Sequence, residues 1–185
     1  KSVVRDLELP LLHERDLGAE GMVGIDALTE QRLMMDFENR VINIEDAKRP
    51  APRLDGEIIV TARLQRGQLI LTQATANRRS VDAVIDTGSE ITIGNHALRQ
   101  KLIRENSNLL QTVGATGVTG VKINLQIANV AELRLGPVLL RNVPIAFADA
   151  PPFGVFGLSG RPALLIGTDL MEKFRRVSLD FHARK

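Results

Sequence analysis

The sequence predicts an all-β fold with one or two short helices. Three observations carry that prediction. Apolar and β-branched runs of strand length recur along the chain, separated by polar or glycine-bearing turns. One of them, Val81 to Ile85, leads straight into Asp86-Thr87-Gly88-Ser89 and then into a second β-branched run, Ile91 to Gly94. Three short segments near the start of the chain also recur, in the same order, near its end, and such repetition bears on the fold as a whole.

Taken in order, Glu57 to Leu64 alternates and reads as a strand. Arg66-Gly67 supplies a turn into the next strand, Gln68 to Thr72. Asn77-Arg78-Arg79 is a polar turn before the strand Val81 to Ile85. Asn95 caps a helix from His96 to about Arg104, with Ala97, Leu98, Leu102 and Ile103 on or near one face. Val121 to Ile127, Glu132 to Leu135 and Val138 to Ala148 read as strands, with Gly136-Pro137 as a turn. Asp149 to Leu158 is a Pro/Gly-rich insert carrying two exposed-looking residues, Phe153 and Phe156; it lines a groove, covers an interface or packs on its own lobe. Leu164 to Gly167 reads as a buried strand ending in a turn.

Asp86 is the residue with the clearest chemical meaning. A carboxylate at the end of a buried strand is costly unless it is partnered, so its position points to a function. Gly88 allows a tight turn and close backbone approach. The hydroxyls of Thr87 and Ser89 can bond the carboxylate or nearby backbone groups. Gly114 to Gly120 is a second glycine-spaced stretch, read as a flexible hairpin. No Lys-Ser or Lys-Thr follows its last glycine, which separates it from a phosphate-binding loop. Asp26, Asp36, Asp169 and Asp180 are expected to cap helices or satisfy turns. His13, His96 and His182 have no metal-ligand spacing, and no metal or organic cofactor is expected.

The stretch from Val81 to Gly94 resembles the active-site loop of aspartic proteases, in which apolar residues flank Asp-Thr-Gly-Ser. Downstream, Leu165-Ile166-Gly167, the segment Asp169 to Phe174 and the segment Val177 to Phe181 resemble the crossing strand, short helix and closing strand of one lobe. Together they resemble a bacterial retropepsin-like lobe over roughly Asp55 to Ala183. That resemblance implies a β-barrel lobe and peptide-bond hydrolysis by water held between two aspartates. It assigns Asp86 as one carboxylate, Thr87 as a tie between two loops, Gly88 as the close-approach position and Ser89 as a donor to the outer oxygen of Asp86. It also makes Gly114, Thr116, Gly117 and Val118 part of a candidate flap over substrate.

The repeat matches Gly24 to Leu28 with Gly167 to Met171, Leu33 to Phe37 with Val177 to Phe181, and Val4 to Pro10 with Leu140 to Ala146. Residues 1–46 are therefore expected to be the back half of an earlier lobe, without its own catalytic motif. Residues 47–54 form a polar, proline-bearing linker, and residues 55–185 a complete lobe. The chain is expected to be a piece of a longer two-lobed protein. The second aspartate has two possible sources: a missing N-terminal lobe, or the mate in a homodimer.

Composition narrows the partners. Net charge is +2, there is no Trp or Tyr, and only six Phe are present, which argues against a nucleic-acid partner. No apolar run has the length of a membrane span. The absence of cysteine removes disulfides and thiolate metal sites. A peptide or protein substrate is expected, and by analogy the periplasm or cell envelope as location. The competing reading is a module that binds extended peptides by strand addition, or self-associates, without cleaving anything.

Overall fold

Strands β7 (Asp82–Ile85) and β12 (Ala163–Ile166) lie side by side and parallel in the interior of the larger sheet, with Ala163 opposite Asp82 and Ile166 opposite Ile85. Both are almost wholly apolar because both of their faces are covered. Leu69, Leu71, Ala83, Leu164 and Ile166 enter one core. Their neighbours Ile70, Val84, Ala163 and Leu165 enter another. In this computed structural model the described residues are 20–28, 30–51, 55–103, 111–116 and 122–185. The repeat segment Val4 to Pro10, together with His13, Pro52, Arg104, Gly117 and Val118, lies outside them.

Among the described residues the larger sheet has ten strands. Its path runs β3 (Ala62–Gln65), β4 (Gln68–Leu71), β7, β12, β8 (Ile93–Gly94), β11 (Val138–Phe147), β10 (Lys122–Leu135), β5 (Ala74–Ala76), β6 (Arg79–Ser80). Strand β9 (Gln111–Thr116) pairs with the first half of β10 as an antiparallel hairpin arm. A separate three-stranded sheet has the order β13 (Arg176–Asp180), β1 (Gln31–Asp36), β2 (Val41–Asp46). The chain is all-β in character.

Four details differ from the sequence reading. Residues 57–61 alternate in sequence but carry no ladder, and β3 begins only at Ala62; Ile58 and Ile59 stay exposed. The strands predicted at Val121 to Ile127 and Glu132 to Leu135 are one strand of 14 residues, Lys122–Leu135, because β11 pairs with it from Gln126 to Leu135 and bridges the gap between them; Val121 lies outside the described residues. Pairing there overrides the weak β-propensity of Ala128-Asn129. Asn142, in the left-handed region at φ 54°, marks the place where that ladder skips a pair.

The third difference is helical. Besides α1 (His96–Leu102), the Pro/Gly-rich insert folds into α2 (Pro151–Val155); α3 (Thr168–Met171) follows β12 where the short helix is expected, and is shorter than Asp169 to Phe174. Pro at the start of α2 suits the first turn of a helix. Fourth, Phe153 on that helix is 2% exposed, and it closes the second core over Ile70 and Val84 with Leu158. It is a core residue, not an exposed one, and Phe156 is half-buried against the same cluster.

Asn95 caps α1 as expected, its Oδ1 accepting from the Leu98 amide at 2.9 Å. It does more than cap. The side chain is fully buried, its amide donates to the carbonyls of Leu158 and Arg161, and its Oδ1 also accepts from the Ala163 amide. One polar side chain thus locks the end of the insert and the start of β12 to the helix.

Candidate active site

Strand β7 ends at Ile85, and the chain must next reach β8, on the far side of β12. The loop from Asp86 to Thr92 therefore crosses the end of β12. Gly167, the residue after β12, sits directly beneath it. A Cβ built on Gly167 would lie 2.5 Å from the carbonyl carbon of Ile91, so only glycine fits. Gly88 is a different case: a Cβ there would meet Asp86 Oδ1 at 3.4 Å, an ordinary contact. The close backbone approach expected of Gly88 belongs to Gly167.

The loop is pinned to β12 and α3 by backbone bonds. The Asp86 amide donates to the Ile166 carbonyl at 2.9 Å; the Thr168 and Asp169 amides donate to the Ser89 and Glu90 carbonyls at 2.9 and 3.0 Å. Side chains complete the clamp. Asp169 accepts from the Thr92 amide at 3.0 Å and from the Thr92 hydroxyl at 2.7 Å. That hydroxyl in turn accepts from the Gly167 amide at 3.1 Å. Thr92 is 1% exposed. The sequence carries one cue for it, a hydroxyl inside the apolar run Ile91 to Ile93, which the Asp-Thr-Gly-Ser motif does not single out. Asp169 holds a turn, as expected, and it also reaches across to the loop of Asp86.

Asp86 itself is half-buried, beside the exposed Thr87 and Gly88. Its Oδ1 accepts from the Gly88 amide at 3.1 Å. Burial raises its pKa above the ordinary carboxylate value, and the Gly88 bond opposes that rise without cancelling it. Neither cause is a neighbouring charge. Among the described residues no second acidic side chain bonds to Asp86, so this part of the chain presents one carboxylate.

Ser89 departs from its expected role. Its hydroxyl donates to the Ile91 carbonyl at 2.8 Å, within its own turn, and not to Asp86. A short hydroxyl side chain in a turn finds the nearest open carbonyl first. The hydroxyl of Thr87 makes no hydrogen bond among the described residues. Gly114 and Thr116 lie on β9, opposite Asn124 and Lys122 of β10; Gly117 and Val118, the other two residues of the candidate flap, lie outside the described residues. Among the described residues no cluster of three or more His, Cys, Asp or Glu side chains is placed to hold a metal, and no helix is long and apolar enough to cross a membrane.

Comparison with known proteins gives the frame. A family model described as aspartyl protease matches residues 72–170. No curated protein matches the chain. Among solved structures it is similar to a retropepsin-like aspartic protease from Rickettsia conorii, with 18% identity, a TM-score of 0.48, and coverage of 65% of this chain and 97% of that one. The family match spans more than half of the sequence and contains the whole crossing loop with Asp86, Gly167 and Asp169. By that match the chain belongs to the aspartyl protease family.

Proposed function

We propose that the chain supplies half of an aspartic endopeptidase site, with Asp86 as one of two facing carboxylates. The observation that carries this reading is the placement of Asp86: a half-buried carboxylate whose pKa is raised by burial, on a loop over-determined by hydrogen bonds to β12 and α3. A general base must be held in place and able to take up a proton, and the clamped loop and the raised pKa both support that role for Asp86.

Two aspartates held about 3 Å apart cannot both ionise, so the pair shares one proton. The ionised member takes a proton from water as the water oxygen attacks the peptide carbonyl carbon. The protonated member donates to the carbonyl oxygen. The tetrahedral intermediate then collapses, the C–N bond breaks, and the amine leaves with a proton returned from the pair. In this reading Thr87, exposed and unbonded among the described residues, ties the loop of Asp86 to the second loop. Gly88 orients Asp86 through its amide. The paired strands β9 and β10, with Gly114 and Thr116 on β9, are the proposed flap over an extended peptide.

The test compares the chain with its Asp86→Asn variant on an unfolded protein substrate between pH 4 and 7, reading products by mass spectrometry. Cleavage by the parent alone supports the reading, and equal cleavage by both overturns it. Silence from both sends the pair of variants to a longer protein that carries a second lobe; silence there favours a peptide-binding module. The proposed location, periplasm or cell envelope, rests on the resemblance, and fractionation of producing cells tests it.

A further inference from the structure

The pairing of β1 with β13 has an internal two-fold. Antiparallel register sets Arg32 opposite Asp180 and Asp36 opposite Arg176, with Met34 opposite Ser178 between them. The sequence repeat matches Leu33 to Phe37 with Val177 to Phe181, so Arg32 corresponds to Arg176 and Asp36 to Asp180. Exchanging the two strands therefore returns the same pairing, about an axis through Met34 and Ser178.

The symmetry extends to side chains and turns. Arg176 Nε lies 2.6 Å from Asp36 Oδ2, and Arg32 Nη1 lies 3.8 Å from Asp180 Oδ2. Asp36 Oδ1 accepts from the Asn39 amide at 3.0 Å; Asp180 Oδ1 accepts from the Ala183 amide at 2.7 Å. Arg40 and Arg184 close the two turns in the left-handed region, at φ 55° and 53°. Val41 then pairs with Asp36, as Lys185 exchanges backbone bonds with Asp180. A helical turn precedes each strand, Ile25–Leu28 before β1 and α3 before β13.

Two copies of this chain related by a true two-fold along β13 would have to place one β13 against the other. The place is taken. The chain's own β1 sits there, in the register that a second β13 would adopt, with the ion pairs that a second β13 would make. We infer that β1 is the closing strand of a covalently attached lobe, and that the partner completing the Asp86 site is that lobe and not a second copy of this chain. The inference rests on the paired-carboxylate reading for what the partner contributes; the strand arrangement itself does not depend on it.

The chain has no cysteine, so introduced ones report without background. Met34 and Ser178 are not fully buried and face each other across the axis. The double variant Met34→Cys, Ser178→Cys is expected to form a disulfide within one chain, running as a monomer without reductant; directly opposed strand positions have suitable Cα separation. The single variant Ser178→Cys is expected to stay monomeric under the same oxidation. A covalent dimer of the single variant, joined through position 178 of each copy, overturns the inference. So does a disulfide in the double variant that joins position 34 of one chain to position 178 of another. The unsubstituted chain provides a check that needs no variant. Its melting temperature is expected to stay constant over about a hundredfold range of concentration, and a rise with concentration overturns the inference. These readouts are independent of cleavage, so a chain that fails to cleave leaves them intact.

Discussion

Thr92 and Asp169 are joined twice, amide to Oδ2 at 3.0 Å and hydroxyl to Oδ1 at 2.7 Å, across 77 residues of sequence. The pair holds the loop of Asp86 to the helix that follows β12. Thr92→Val keeps the shape and removes the hydroxyl, leaving the Gly167 amide without its acceptor and Asp169 Oδ1 with the Leu170 amide alone. The expected cost is about 2 kcal/mol in chemical denaturation. Any cleavage activity should fall by more than the stability loss explains, because the carboxylate is no longer held in place.

Gly167→Ala should be among the most damaging small substitutions in the chain. Its methyl would meet backbone atoms of Ile91 within 2.5 to 2.9 Å, and backbone cannot swing aside as a side chain can. A loss of about 3 kcal/mol is expected. Gly160→Ala, where nothing lies within 4 Å of the new methyl, is the matched control and should be nearly silent. Equal losses at the two sites would contradict the crossing-loop geometry.

The raised pKa of Asp86 gives its own pH signature. A carboxyl whose folded pKa lies above its unfolded one opposes ionisation in the folded state, so stability falls as pH rises from the unfolded value, near 3.8, through the folded one. Asp86→Asn cannot ionise and removes that loss. Thermal melts at pH 3 and pH 7 should show the variant gaining on the parent only at the higher pH. A parent-to-variant difference that does not change with pH would contradict a raised pKa.

Asp36 behaves in the opposite sense. The Asn39 backbone amide first, then its side chain and Arg176, hold the carboxyl down at about 2, against an ordinary 3.8. The stability this contributes is present above pH 3.8 and is lost as pH falls from there towards 2. Asp36→Asn should therefore flatten the acid limb of the stability curve in that window and leave the neutral region's slope unchanged. Native-state hydrogen exchange in β1 resolves the effect locally.

Phe153→Ala tests the second core. The ring is 2% exposed and packs with Leu158 over the outer face of β7 and β12. A loss of about 4 kcal/mol is expected from the lost burial and the remaining cavity. Phe156→Ala, at a half-buried position, should cost clearly less.

What is legible in the sequence is whatever local pattern fixes. The apolar run into Asp86 and the run Leu164 to Ile166 are strands because both faces are covered, and that needs no knowledge of partners. Asn95 announces a helix start through its capping chemistry. Other features depend on what arrives from far away. Residues 57–60 alternate like a strand yet carry no ladder among the described residues, whereas Ala128-Asn129 look unlike a strand and are held by β11. Phe153 reads as exposed because nothing local says that the insert folds back over β7. Ser89 and Thr92 show the same limit at the site. Both are hydroxyls in one loop, and only the position of Ile91 and Asp169 decides which one serves the turn and which one the clamp.

The four residues of α3 have a consequence for motion. At one end their amides and the Asp169 carboxylate grip the loop of Asp86; a few residues beyond the other end, the chain enters β13, whose edge is shared with β1. The carboxylate is thus anchored to a short lever between the two sheets. A displacement of β13 relative to β12 would strain the bonds from α3 to the carbonyls of Ser89 and Glu90 and to the Thr92 amide.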